Sequence, residues 1–238
     1  MGRLYIKYIN ANLLLKYLSG EVVMKKRTIF YKLKRRLSKI PLKGKGAHEI
    51  KYTYNRDAAK TYAQTHAETP NTKQYPFYKD NDCTNFICQA LVAGGMRMVG
   101  SDYEKKSAWF CYTREPATLR KCSLTWRSAE YFRLYWGYNE NIGMGMAKEY
   151  MEFKVEDAID RFDELYEYLM VGDVVQYADA NKRPYHTQII ISKEFNVTTD
   201  KHDIFAAQHS ANRKHVSLNE YWKLLRNGKG RYIYTYHF

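Results

Sequence analysis

The sequence contains NDCTNFICQALVAGG at residues 81–95, and this stretch predicts a helix that begins at a cysteine. The apolar residues that follow Cys83 recur at the spacing of one helix face: Phe86, Ile87, Ala90 and Leu91. Asn81 or Asp82 is suited to cap the helix N-terminus, and Gly94-Gly95 can take the left-handed turn that ends a helix. Cys83 is therefore predicted in the first turn, on the side that faces the core.

A cysteine at this position is predicted to be reactive. The positive end of the helix dipole and the unpaired N–H groups favour the thiolate, so we expect a thiol pKa below the free value of about 8.5. The alternative is a small apolar residue packed in the core, because free cysteine is often buried. This segment alone leaves both interpretations open.

Two histidines complete the predicted constellation. Three later segments read as strands: residues 173–177, 185–191 and 204–210. If the last two form a hairpin centred on Val197-Thr198, His186 and His209 lie opposite each other, with Cβ atoms about 4.5–5.5 Å apart. A cysteine nucleophile needs a base and a group that orients the base. We predict His186 as the base and His209 as its orienting group, with Gln208 and Asn212 as alternatives to His209.

These residues resemble the signature of the bacterial putative amidase domain family, a papain-like cysteine hydrolase family related to the NlpC and CHAP cell-wall hydrolases. The resembling motifs keep one order along the chain: Tyr54 to Ala59, Asp82 to Phe86 with Gln89 and Gly94-Gly95, Gly172 to Tyr177, His186 with its isoleucines, and Gln208-His209-Ser210. The resemblance covers about Tyr52 to Tyr236. Two positions depart from the family pattern: Cys88 replaces a usual serine, and Tyr185 replaces a common aspartate.

The resemblance implies a papain-like fold and a cysteine-dependent amidase or peptidase that acts on peptidoglycan peptides, without a cofactor. Cys83 would attack the carbonyl carbon, and His186 would take the thiol proton and later protonate the leaving amine. Water would then hydrolyse the acyl-thioester. The backbone N–H of Cys83 is one candidate oxyanion donor, and Asp82 and Tyr78 are further substrate or oxyanion candidates by their position in the chain.

Three other functions remain open at this stage. The same cysteine and histidine could serve a protein deamidase or transglutaminase-type effector, or the chain could be a non-catalytic binding protein. A zinc site of Cys83, His186 and His209 is a weaker alternative, because the cysteines lack the usual ligand spacing and we expect no metal. A free nucleophile leaves three cysteines, so a disulfide framework is not expected, although a Cys111–Cys122 bridge stays open.

Charge divides the chain into a basic extension at residues 1–46 and a nearly neutral amidase domain at residues 47–238. Residues 25–46 carry ten Lys and Arg and no Asp or Glu, within a chain of net charge +14. We expect this arm to bind an anionic polymer or a membrane surface rather than a specific nucleic acid. We expect no classical signal peptide and no membrane span. The localisation stays open, and it would be extracytoplasmic if the substrate is the cell wall.

The predicted elements give an α+β class. Four further helices are expected, at about residues 56–67, 129–136, 155–169 and 217–226. A closing strand is expected at residues 231–236. Because helices precede an antiparallel sheet that carries the histidines, we expect a nucleophile helix packed on a small antiparallel sheet.

Overall fold

The computed structural model describes residues 53–138, 142–228 and 230–238. The predicted extension at residues 1–46, its arm at residues 25–46 and the domain start at residue 47 lie outside the described residues. The helices, in chain order, are α1 (Arg56–His66), α2 (Cys83–Ala93), α3 (Leu124–Arg127), α4 (Ala129–Trp136), α5 (Val155–Asp160), α6 (Phe162–Tyr168) and α7 (Leu218–Arg226), with one 3-10 turn at Leu119–Lys121. The strands are β1 (Glu149–Lys154), β2 (Val174–Ala178), β3 (Pro184–Asn196), β4 (Lys201–Gln208), β5 (Arg213–Ser217) and β6 (Tyr232–His237).

The strands form one sheet in the order β1-β6-β2-β3-β4-β5, and every neighbouring pair is antiparallel. Helices α1, α2 and α4 pack on one face, and α7 packs on the other, where Trp222 meets Tyr177. The expected α+β class is confirmed. The sequence prediction missed β1 and β5, which are short strands at the two edges of the sheet, each paired with a single neighbour.

Capping residues and other short-range sequence patterns determine most of the helix ends. The predicted bounds of α4 are confirmed, and Asn55 accepts from the backbone N–H of Ala58 at the start of α1. Ser217 likewise accepts from the N–H of Glu220 at the start of α7. The single helix predicted over residues 155–169 is wrong, because Arg161 leaves the helical conformation, at φ −112° and ψ 24°, and divides it into α5 and α6.

Helix α2 lies at the centre of the fold and is buried from Cys83 through Leu91. Its interior polar side chains have partners on neighbouring segments. Asn85 donates to Pro76 O at 2.7 Å and accepts from Trp126 Nε1 at 2.7 Å, while Gln89 accepts from Tyr62 at 2.8 Å. A helix buried on all sides is held in one position, because each of its polar groups has one satisfied geometry.

The register between β3 and β4 differs by one residue from the predicted one. The observed pairs include Ile189 with Ala207 and Ile190 with Ala206, next to a bulge. A shift of one residue sends every side chain of a strand to the opposite face. The predicted contact between His186 and His209 is therefore wrong.

All four cysteines are free thiols in buried positions. Cys111 and Cys122 face each other across an isolated antiparallel bridge, and the disulfide that the sequence left open is not formed. Trp109 Nε1 donates to the sulfur of Cys88 at 3.2 Å. None of the helices among the described residues has the length and apolar character needed to cross a membrane.

The end of α2 yields a stability prediction. Gly95, not Gly94, adopts the left-handed backbone, with φ +98°. Gly95→Ala should lower the free energy of unfolding by about 1–2 kcal/mol, since a Cβ is disfavoured there. Gly95→Asn should lower the free energy of unfolding by less, because asparagine tolerates positive φ. Urea denaturation of both variants measures this, and equal losses would contradict the assignment.

Candidate active site

Cys83 is the first residue of α2, and its side chain lies beside the first residues of the neighbouring strand β3. Its side chain is 7 % exposed, and its Sγ atom is 3.8 Å from Thr84 Oγ1. The hydroxyl of Thr84 is in turn 3.4 Å from the hydroxyl of Thr187. The backbone of Thr187 also contacts the thiol, which places the sulfur beside the residue that follows His186.

The thiol of Cys83 is neutral at rest. Burial raises its pKa above the ordinary value, while hydrogen bonds from Thr84 and from the backbone of Thr187 oppose this, and the Asp82 carboxylate adds to the rise. The expectation of a lowered pKa is wrong for this structure. Desolvation of the anion outweighs the helix dipole because the sulfur is almost entirely removed from water.

His186 binds Gln208, not His209. Its Nε2 atom is 3.1 Å from Gln208 Oε1, and its side chain is 7 % exposed. Burial lowers the pKa of His186 below 6.5, and the Gln208 contact opposes that change. An amide oxygen only accepts, so Nε2 carries the hydrogen and Nδ1 keeps the lone pair. A neutral imidazole with a free Nδ1 can act as a general base.

The turn after β4 holds Gln208. Its Nε2 donates to Ala211 O at 3.0 Å, which directs Oε1 toward His186. Ser210 and Ala211 have positive φ values of 58° and 74°, a conformation that non-glycine residues rarely adopt. The hydroxyl of Ser210 accepts from the backbone N–H of Asp82 at 3.0 Å. One strained turn therefore contacts both the histidine partner and the start of the cysteine helix.

His209 lies on the other face of β4, in a buried contact with Asp82. Its Nδ1 donates to Asp82 Oδ2, and its Nε2 donates to His66 O at 2.8 Å. The ring stacks on Phe86, with centroids 4.0 Å apart and an interplanar angle of 15°. Both ring nitrogens thus have buried oxygen partners. His209 thus ties α2 to β4 and to the end of α1.

The other sequence candidates have different positions. Asp82 Oδ1 accepts from the N–H of Tyr78 and from Asn85 Nδ2, each at 2.8 Å, so this carboxylate is fully engaged and does not cap α2. The hydroxyl of Tyr78 is buried, and burial raises its pKa beside the thiol of Cys122. Asn212 is exposed on the turn after β4. The Asp82 carboxylate accepts in these contacts and offers no donor to an oxyanion at Cys83.

The geometry does not support the weaker zinc alternative. Both nitrogens of His209 are bound to oxygen atoms of Asp82 and His66, which leaves no lone pair for a metal shared with Cys83. Across residues 53–138, 142–228 and 230–238, no group of three His, Cys, Asp or Glu side chains is arranged to hold a metal ion.

The sequence prediction missed the polar residues that support the contact between His186 and Gln208. Gln188 Nε2 donates to Gln208 Oε1, and Tyr177 donates to Gln188 Oε1, each at 2.5 Å. Gln188 lies in the buried stretch of β3, and Gln208 lies at the buried end of β4. A polar residue two positions after His186, on the same strand face, was the signal that could have found Gln188.

The raised pKa of Cys83 predicts its alkylation behaviour. The rate of iodoacetamide reaction at Cys83, followed by peptide mass, should keep rising above pH 9.0, because burial raises the thiol pKa from 9.0. Thr84→Val should slow the reaction at any fixed pH, since the hydroxyl stabilises the thiolate. A plateau near neutral pH would contradict this electrostatic description.

The Asp82–His209 contact predicts a large stability effect. Asp82→Asn places an amide against a ring whose other nitrogen is already bound, and both side chains are 1 % exposed. The free energy of unfolding should fall by about 1–3 kcal/mol, as expected when a buried hydrogen-bonding group is left without its partner. Asp80→Asn, at an exposed position, is the control for urea denaturation. A loss as small as the control's would refute a structural role for this contact.

Comparisons with known proteins place this geometry in a family. The family model described as "Putative amidase domain" matches residues 53–236. A relative, the uncharacterized protein YjcM of Bacillus subtilis, is 32% identical over 182 residues, which are 76% of this chain and 36% of that protein. The chain thus spans about a third of the length of that relative. No solved structure matches. The chain belongs to the putative amidase domain family, which indicates amide hydrolysis as its general chemistry.

Proposed function

We propose that this protein is a cysteine-dependent amide hydrolase, with Cys83 as nucleophile, His186 as general base and Gln208 as the orienting group. The hydrogen bond between His186 Nε2 and Gln208 Oε1 carries the proposal, because it leaves Nδ1 free as a base. The thiol of Cys83 lies against the backbone of Thr187, one residue along β3. Nucleophile, base and orienting group are the three parts that this chemistry needs.

The proposed resting site is a neutral thiol beside a neutral imidazole. Burial raises the pKa of Cys83 and lowers that of His186, so both shifts disfavour a preformed ion pair. The thiol proton would therefore move to Nδ1 as sulfur attacks the carbonyl carbon. The same proton would pass to the leaving amine, and water would hydrolyse the acyl-thioester.

The start of α2 would stabilise the oxyanion. The N–H groups of the first helical turn have no partner within the helix. The Asp82 side chain, which could have capped them, instead accepts from the backbone N–H of Tyr78 and from the side-chain amide of Asn85, and its other oxygen contacts the ring of His209. The N–H of Cys83 is thus our candidate oxyanion donor, at the positive end of the helix dipole.

The proposed fold is papain-like, with a nucleophile helix packed on an antiparallel sheet. The proposed substrate class is peptidoglycan stem peptides, which carry free carboxylates beside their amide bonds. An aromatic and basic rim supports this choice. Tyr185 is 44% exposed next to His186, and Arg231 opposes the rise in its pKa that burial causes. The ring of Tyr221 lies 6.4 Å from that of His186.

The basic arm would assist by adhesion. Residues 25–46 carry only positive charge among their ionisable side chains and would hold the enzyme on an anionic polymer or a membrane surface. Binding of this kind weakens as salt concentration rises.

Peptidoglycan digestion, followed by mass spectrometry of the released peptides, tests the proposal. Cys83→Ser should abolish cleavage, and His186→Ala should lower the rate by about 10²–10⁴-fold. Gln208→Ala should lower the rate by a smaller factor, and Asn212→Ala, on the exposed turn, should retain activity. Full activity in Cys83→Ser would refute the cysteine mechanism. Release of ammonia, or formation of an isopeptide, without peptide cleavage would identify a deamidase or transglutaminase instead.

The rate should also depend on pH in a defined direction. The base is lost as pH falls through the lowered pKa of His186, so the half-maximal rate on the acid side should lie below pH 6.5. The Gln208 contact raises that pKa, so Gln208→Ala should move the midpoint to still lower pH. A midpoint above 6.5 would show that a different group titrates.

A further inference from the structure

A chain of buried hydrogen bonds extends from His186 to a tryptophan on α7. Trp222 Nε1 donates to the hydroxyl of Tyr177 at 3.2 Å, and that hydroxyl donates to Gln188 Oε1. Gln188 Nε2 then donates to Gln208 Oε1, which also accepts from His186 Nε2. Trp222, Tyr177 and Gln188 are each 0% exposed, so water does not substitute for any of these contacts.

The two ends of this chain fix its direction. An indole nitrogen only donates, so the oxygen of Tyr177 accepts from Trp222 and its hydrogen must go to Gln188. A carbonyl oxygen only accepts, so Ala211 O requires the nitrogen end of the Gln208 amide. Turning either amide would leave a buried donor or acceptor without a partner, which is energetically costly.

We propose that Trp222, Tyr177 and Gln188 are positioning residues that hold His186 in its Nε2–H tautomer. Their contacts present an acceptor to Nε2, so the lone pair of the ring is kept on Nδ1. None of the three touches Cys83 in this chain of contacts, and each acts through its neighbour. The inference rests on the proposed function, in which Nδ1 of His186 is the base.

The tautomer can be measured without a substrate. In protein labelled with ¹⁵N-histidine, the ring shifts of His186, assigned with a His186→Gln variant, should show a pyridine-type Nδ1 and a protonated Nε2 above pH 7. A hydrogen on Nδ1 in the wild-type protein would overturn the proposal before any variant is made.

Gln188→Glu reverses the last two hydrogen bonds of the chain, those that Gln208 makes with residue 188 and with His186, while keeping its shape. The carboxylate accepts from Tyr177 and cannot donate to Gln208, so the Gln208 amide should turn and present its nitrogen to His186. The Nδ1–H tautomer should then appear, and alkylation of Cys83 should slow by more than about tenfold, since a wrong base tautomer can cost roughly 10⁴-fold in rate. A folded Gln188→Glu protein with an unchanged His186 tautomer would refute the proposal.

Gln176→Glu is the matched control. Gln176 is equally buried, on the neighbouring strand, but contacts Ala129, Thr187 and Tyr236 instead of the chain. The Gln176→Glu variant should be less stable than the wild-type protein, and its His186 tautomer should be unchanged. If Gln188→Glu does not fold, Tyr177→Phe is the alternative variant, because it removes only one oxygen atom from the chain. It should yield a mixture of His186 tautomers. A single Nε2–H form in that variant would also refute the proposal. Loss of cleavage in Cys83→Ser tests the proposed function separately.

Discussion

The buried contact between Asp82 and His209 is the constraint on which the site depends. It joins the residue before the cysteine helix to the residue that follows β4, and it reaches the end of α1 through His66 O. Leaving a buried hydrogen-bonding group without its partner is costly, so these three segments are held at one separation. The start of α2 is thereby placed against the start of β3, where the thiol of Cys83 lies beside the backbone of Thr187.

Gln208, the last residue of β4, and His209, which follows it, support different parts of the candidate site. Side chains alternate between the faces of a strand, so His209 turns toward α2 while Gln208 turns toward His186 and Gln188. The first supports the position of the helix, and the second supports the orientation of the imidazole. A single turn with two left-handed residues, Ser210 and Ala211, connects both functions. Local strain of this kind is typical of functional sites.

The sequence predicted the elements better than their relative register. Helical periodicity placed Cys83 at the start of a buried helix, and capping residues placed α1 and α7, because these signals act within a few residues. The choice between Gln208 and His209 depended on a hairpin register, and a difference of one residue exchanges the two faces. A turn of four residues and a bulge near Ile190 set that register, and neither has a sequence signal strong enough to locate it.

The pKa of the thiol was mispredicted for a related reason. The helix dipole is a local property that a sequence reveals, whereas desolvation depends on how completely the fold covers the sulfur. Because burial opposes charge on both Cys83 and His186, the proposed proton transfer would be favoured only when a carbonyl carbon accepts the sulfur's electrons. Reactivity would then be tied to the presence of substrate, which protects a buried thiol from other electrophiles. The direction of the hydrogen bonds behind His186 matters in such a site, since a neutral base works through only one of its nitrogens.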